Sequence, residues 1–186
     1  MENREKIVRE TEAFVRCSVP KTRQPEEAYL RHVFGARNYA RHLAEIYHAD
    51  IFTVIMAALL HDIGADAGDE KHAKESVKIA KQFLEEFKLD KRTRDKIFGA
   101  IKAHPLGTPV EGMEQRILQD ADGIIFIEDT YKSYFDEQKK NLAPTEAKAR
   151  SIEKTRAMMG KIKTDEGIKI ANKFLESAMK HLENAF

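Results

Sequence analysis

The adjacent pair His61-Asp62 is the first feature of this sequence that could carry chemistry. It follows an uncharged run, residues 51–60 (IFTVIMAALL), which must be largely buried. A carboxylate at the end of a buried helix is costly unless a cation or several donors compensate it. A divalent metal would satisfy the imidazole and the carboxylate together, and both are suitable ligands for Mn, Fe, Co, Ni or Zn. The pair therefore indicates a metal site.

Other side chains of the ligand type fall on predicted core faces. His32 heads a stripe with i, i+4, i+8 spacing, and Asp122 shares a helical face with Leu118 and Ile125. Four of the seven histidines are predicted to face inward: His32, His61, His72 and His104. The other three, His42, His48 and His181, are predicted at the surface. A single inward histidine is more often a hydrogen-bonded core residue, and an aspartate here could cap a helix or form an ion pair. A shared metal site would explain the whole set.

The series His32, then His61-Asp62 in AALLHDIG, then Asp122 in LQDADGIIFI resembles the HD-domain superfamily of metal-dependent phosphohydrolases. The segments KHAKESVKIAKQFL, AIKAHP and KTDEGIKIANKFLESAMKHLE are similar to later helices of small bacterial HD hydrolases. The resemblance covers about residues 25–184. It implies an all-α fold, a single HD-type helical bundle over residues 1–186 with about seven or eight helices.

The resemblance also implies a set of metal ligands. The primary ligands would be His32, His61, Asp62 and Asp122. Asp122 is preferred to Asp120 because the family's aspartate follows the alanine of the DAD triplet. His72 and His104 match positions that hold a second metal in the two-metal branches, where Asp62 would bridge both ions. The implied cofactor is one or two divalent ions, of Mn, Fe, Co, Ni or Zn, with Mg as a further option.

The chemistry implied by the resemblance is hydrolysis of a nucleotide or similar small phosphate ester. The metal would polarise a phosphoryl oxygen, lower the pKa of a bound water and orient it. Asp62 would act directly in catalysis, and Asp66 and Asp120 would orient the ligands from outside. The candidates for neutralising substrate phosphate are Arg37, Lys102 and Lys132, although a solvated helix face is the commoner role for such residues.

Departures from known branches of the family leave the substrate open. Ala65 stands where the cyclic-dinucleotide branch has a lysine, PLGTPVEG replaces the GYP signature, and Arg31 replaces a glutamate of the deoxynucleotide branch. A di-iron oxygenase would use the same six ligands, but the interval from His61 to His72 is short for that branch. A non-catalytic, nucleotide-binding regulatory module is disfavoured because such modules usually lose ligands.

Helices must position these residues, because proline and glycine are scarce and strand-like alternation is almost absent. Asp50 is a plausible N-cap of the apolar helix, and Pro25 fits a helix start. The eight predicted helices cover about residues 3–17, 25–48, 50–61, 71–88, 90–104, 113–138, 144–162 and 165–183.

Composition restricts the remaining functions. The formal net charge is +1, from 32 basic and 31 acidic residues, which gives no argument for general nucleic-acid or membrane binding. Cys17 is the single cysteine, so no intramolecular disulfide forms.

The charged N-terminus lacks a signal core and the apolar run 51–60 is too short for a bilayer, so a cytoplasmic location is expected. The amphipathic C-terminal helix is expected to pack on its own domain, and the oligomeric state stays open.

Overall fold

The structure is a computed structural model that describes residues 2–22, 25–68 and 71–185. These residues form nine α-helices and contain no strand, which confirms the all-α prediction. The helices are α1 Glu2–Cys17, α2 Glu26–Tyr47, α3 Ile51–Leu60, α4 His72–Leu84, α5 Lys91–Ala103, α6 Met113–Ile125, α7 Tyr131–Asn141, α8 Pro144–Lys161 and α9 Asp165–Asn184. A 3₁₀ turn covers Ala65–Ala67, and a π-helical segment covers Phe126–Thr130.

Helix α3 lies at the centre of the bundle. Every residue of α3 after Ile51 is buried, and the helix packs against α1, α2, α4, α5 and α6. The Asp50 side chain accepts a hydrogen bond from Thr53 N at 3.1 Å, which confirms the predicted N-cap. Because α3 is surrounded on all sides, the residues at its C-terminal end emerge inside the bundle.

The region predicted as one helix over 113–138 is instead two α-helices joined by the π-helical segment. Helix α6, the π-helical segment and α7 follow one another without a break and form one helical rod. The described residues therefore form eight rods. Contacts that tie the segment to α2 include the hydrogen bond from Tyr39 to Glu128 at 2.7 Å and the one from Arg31 Nε to Asp129 at 3.0 Å. π-helical turns are rare and frequently occur at functional sites.

Two helix ends differ from the prediction. Pro25 is the N-cap of α2 and precedes its first residue. Helix α4 stops at Leu84, earlier than predicted, because Phe87 N donates to Leu84 O in a tight turn that leaves the α-helical path. In the part of the chain that the structure describes, no helix is long and apolar enough to span a membrane.

Candidate metal centre

Five helices bring the six predicted ligands to one place. His32 lies in α2, His61 and Asp62 directly follow α3, and His72 is the first residue of α4. His104 directly follows α5, and Asp122 lies in α6. Five of these residues are at most 9% exposed, and the His72 side chain is 13% exposed. The four histidines therefore face inward in the structure, as predicted.

The first group of ligand atoms surrounds His32. Its Nε2 lies 3.1 Å from His61 Nε2 and 3.3 Å from Asp122 Oδ1. Asp62 completes the group, with Oδ2 at 3.8 Å from His32 Nε2 and Oδ1 at 3.8 Å from His61 Nε2. His32, His61 and Asp62 could hold one ion.

The second group joins the start of α4 to the end of α5. His72 Nε2 and His104 Nε2 lie 2.9 Å apart. Asp62 Oδ1 lies 3.4 Å from His104 Nε2 and 3.8 Å from His72 Nε2. Asp62 therefore belongs to both groups, and Asp62, His72 and His104 could hold a second ion.

The distances between ligand atoms fit coordination of a metal. Two ligand atoms at about 2.0–2.2 Å from one ion lie roughly 2.8–3.6 Å apart for tetrahedral or octahedral angles. The shortest separations in both groups, 2.9 to 3.4 Å, fall within this range. Imidazole nitrogens and carboxylate oxygens together suit a divalent transition metal.

The far side of two imidazole rings is fixed by the backbone. His61 Nδ1 lies 2.8 Å from Ala58 O, and His104 Nδ1 lies 2.6 Å from Ile101 O. A carbonyl oxygen only accepts, so each Nδ1 must carry the proton. In a neutral ring the Nε2 lone pair then points into the centre, as metal coordination requires.

His32 is fixed in the same way by the π-helical segment. Its Nδ1 lies 3.0 Å from Thr130 Oγ1, and the Thr130 hydroxyl donates to Ile125 O at 3.4 Å. Because the hydroxyl proton is used there, Thr130 accepts from His32 Nδ1. Thr130 was not predicted from the sequence.

Burial and charge set the protonation states of two ligands. Burial of His61 lowers its pKa to about 4, so the ring is neutral at neutral pH and can bind a metal. Burial alone would raise the pKa of Asp122, but the opposing effects, of which the charge of the Lys161 ammonium is the largest, outweigh burial and hold that pKa well below its usual range. Asp122 is therefore a carboxylate.

Lys161 is a second residue of the site that was not predicted from the sequence. It is the last residue of α8, is only 5% exposed, and donates from Nζ to Asp122 Oδ2. A signal for it was present in the sequence. Lys161 lies three residues after Met158 on the buried stripe of α8, Ala147, Ser151, Thr155 and Met158, where a lysine needs an acidic partner.

The two aspartates predicted to orient the ligands contact other segments. Asp66 accepts hydrogen bonds from Lys21 N at 3.1 Å and from Thr22 N and Oγ1 at 2.8 and 2.9 Å. Asp120 accepts from Lys163 N at 3.0 Å and from Thr164 N and Oγ1 at 2.8 and 2.6 Å, at the start of α9. Burial raises the pKa of Asp120 despite these bonds. Their orienting role in catalysis stays a prediction.

The three predicted phosphate-neutralising residues lie in different settings. Arg37 Nη1 pairs with Glu12 Oε1 of α1 at 2.5 Å, and Lys132 Nζ pairs with Asp129 Oδ1 at 3.3 Å. Lys102 is exposed in the last turn of α5, two residues before His104. The role of all three in neutralising phosphate stays a prediction.

Solved structures of other proteins share this architecture. Bacillus subtilis YpgQ is 17% identical, with a TM-score of 0.74 over 97% of this chain and 94% of its own. YpgQ in complex with ADP is 18% identical, with a TM-score of 0.73 and the same coverage. An HD-superfamily hydrolase from Bacillus thuringiensis is 18% identical, with a TM-score of 0.71 over 97% of this chain and 96% of its own. At these identities the likeness concerns the fold.

The HD domain family model matches residues 29–127, more than half of the chain and the part that holds all six ligand candidates. No curated protein matches the chain. The fold is that of the HD-superfamily hydrolases, and the His/Asp cluster fits the divalent metals that HD domains bind. The chain belongs to the HD domain family.

Proposed function

We propose that this protein is a metal-dependent phosphohydrolase that acts on a nucleotide or a similar small phosphate ester. One observation carries the proposal: Asp62 lies between two pairs of histidines whose Nε2 atoms are 3.1 and 2.9 Å apart. A buried core has no need of four clustered imidazoles and two carboxylates, whereas metal coordination uses all of them.

The protein's own side chains would prepare the site for hydrolysis. The chemistry that a divalent ion supplies in such a site is polarisation of a phosphoryl oxygen and activation of a water at neutral pH. His32, His61, Asp62 and Asp122 would hold this ion, with His72 and His104 available for a second. The backbone bonds to His61 and His104 fix their rings beforehand, so no reorganisation is needed during the reaction. A covalent protein nucleophile is not required.

Two features support a nucleotide or similar phosphate ester as substrate. The structurally similar YpgQ has been solved in complex with ADP. Exposed lysines also flank the second pair of histidines, since Lys71 precedes His72 and Lys102 lies two residues before His104. Their ammonium groups would offset the charge of a bound phosphate. Substitution of either lysine by alanine should raise KM more than it lowers kcat.

The experiment that tests the proposal compares Asp62→Ala with the wild type and with Asp95→Ala. Asp95 lies on α5, is exposed, and pairs with Lys91 on the surface, so its loss is a matched control. Elemental analysis of protein purified without chelator or histidine tag should find metal in the wild type and the control. Asp62→Ala should have lost it, together with metal-stimulated hydrolysis of phosphate esters across Mn, Co, Ni, Mg and Fe.

A wild type without metal and without metal-stimulated hydrolysis would contradict the proposal. Bound iron with oxygen uptake and no phosphate release would favour the di-iron oxygenase, which uses the same six side chains. Tight nucleotide binding without turnover in the presence of metal would favour the regulatory module.

A further inference from the structure

Lys161 is a buried cation that contacts one of the six ligand candidates but is not itself a ligand candidate. Its side chain is 3% exposed, and its ammonium contacts a carboxylate oxygen of Asp122. A charged lysine is almost never this buried unless it is paired. The α8 C-terminus, where Lys161 lies, adds the negative end of the helix dipole and favours an ammonium at this point.

The two carboxylate oxygens of Asp122 have different neighbours. Oδ1 faces the centre, 3.3 Å from His32 Nε2 and 3.9 Å from His61 Nε2. Oδ2 accepts from Lys161 Nζ. The ammonium thus contacts Oδ2, and it leaves Oδ1, which faces both histidines, for a metal.

We infer that Lys161 is a positioning residue that holds the Asp122 carboxylate in one orientation, with Oδ1 presented to the metal. The inference rests on the proposed function, because it concerns the same centre. It adds a residue of the C-terminal helices to a site whose six ligand candidates lie within residues 29–127, the range matched by the family model. Helix α8 packs on α6, so it can carry this contact to Asp122.

Removal of the ammonium has two opposing effects on metal binding. An ammonium near a divalent ion repels it, and loss of that repulsion would tighten binding. Without Lys161, however, Asp122 Oδ2 is left buried without this donor, and the carboxylate has to turn toward another partner. We expect the second effect to dominate, because Lys161 lies on the far side of the carboxylate, whose negative charge stands between the two cations.

The test compares Lys161→Met and Lys161→Arg with the wild type and with Lys96→Met. Met removes the charge and the donors at similar length, while Arg keeps both. Lys96 pairs with Glu114 between α5 and α6, so Lys96→Met removes an ion pair that involves none of the six ligands. Mn²⁺ affinity is measured by competition with a fluorescent chelator, below the melting temperature of every variant, and kcat and KM are measured on the same samples.

We expect Lys161→Met to bind Mn²⁺ about 10- to 100-fold more weakly, the usual effect of removing a partner of a metal ligand. kcat should fall more than KM rises, because Asp122 positions the metal rather than the substrate. Lys161→Arg should recover most of the affinity, and Lys96→Met should bind as the wild type does.

Unchanged or tighter Mn²⁺ binding by Lys161→Met would overturn the inference. So would equal weakening in Lys161→Met and Lys96→Met, since that would reflect general destabilisation. Either result leaves the proposed function intact as long as the wild type binds Mn²⁺. Failure of the wild type itself to bind any of Mn²⁺, Co²⁺, Ni²⁺, Mg²⁺ or Fe²⁺ would instead refute the proposed function.

Discussion

Replacement of Gly64 by alanine tests how closely α3 and α4 must approach for the centre to form. Gly64 has φ −96°, which any residue can adopt, so its need for glycine is one of space. A Cβ at this position would lie 2.4 Å from Ser76 N and 2.7 Å from the carbonyl carbon of Glu75. Ordinary contacts between such atoms are about 3.5–4.0 Å. The methyl group therefore overlaps the backbone of α4 by roughly 1 Å.

This overlap must displace α4, because backbone atoms cannot rotate away as a side chain can. The hydrogen bond from Gly64 N to Ser76 Oγ, at 2.9 Å, is strained by the same movement. Forced overpacking costs about 1–3 kcal/mol. For a chain of this size that corresponds to a melting temperature lower by roughly 2–12 °C.

The displacement should also reach the metal centre. Helix α4 begins at His72, whose Nε2 lies 2.9 Å from His104 Nε2. Metal–ligand distances tolerate only about 0.2 Å, so a shift of roughly 1 Å removes His72 from its group. None of the residues grouped around His32 lies on α4. We therefore expect Gly64→Ala to lose the second ion preferentially and to lower kcat by up to about 100-fold.

The assay combines thermal melting with elemental analysis of Gly64→Ala and of the control Gly160→Ala. Gly160 is exposed in α8, and a Cβ there meets nothing within 4 Å. Alanine at that helical position should be neutral or stabilising by up to about 1 kcal/mol. A Gly64→Ala protein that melts like the wild type and keeps its full metal content would refute the reasoning.

Two further predictions concern individual ligands. Thr130→Val keeps the shape of Thr130 but removes the acceptor for His32 Nδ1. Mn²⁺ affinity, measured by chelator competition, should therefore fall by about 10-fold. Unchanged affinity would mean that Thr130 does not orient His32. Burial lowers the pKa of His61 from 6.5 to about 4, so below pH 6.5 the unfolded chain binds a proton that the folded chain rejects. The free energy of unfolding of the metal-free protein should therefore decrease by up to about 3 kcal/mol from pH 6.5 to pH 4. Urea titrations at several pH values measure this decrease. His61→Gln should lack that part of the slope, and an equal slope in both proteins would exclude His61 as its source.

The sequence was most informative where local pattern alone decides the structure. The apolar run after Asp50 predicted a buried helix and its cap, and both are present. The inward faces of His32 and His104 followed from helical spacing, which depends only on near neighbours along the chain. The end of α4 was predicted too late in the chain, because the apolar pattern does not encode the tight turn at Leu84.

Contacts between distant segments were harder to anticipate. Asp66 follows the His61-Asp62 pair closely in sequence, yet its carboxylate is used by Lys21 and Thr22 in the segment between α1 and α2. Lys161 could have been found from its place on a buried stripe, but only its packing against α6 reveals Asp122 as its partner.

Thr130 lay beyond any argument from regular periodicity. A regular α-helix advances about 100° per residue, so the residue that returns closest to the face of Asp122 is the seventh after it, Asp129. The π-helical segment brings Thr130 to His32 instead, while Asp129 pairs with Arg31 and Lys132.

The π-helical segment also determines which changes in length this part of the chain can accept. Deletion of one residue between 126 and 130 would let α6 run into α7 as a regular α-helix, with better backbone geometry. Because a π-helical turn holds about one residue more than an α-helical turn, every later side chain of the rod would keep nearly the same direction relative to Asp122. A deletion in a regular α-helical part of the rod would instead rotate every later side chain by about 100°, which a rod packed against α2, α8 and α9 cannot absorb. The π-helical segment is thus the place where the rod can lose one residue and still present Thr130 to His32, provided that the lost residue is not Thr130 itself.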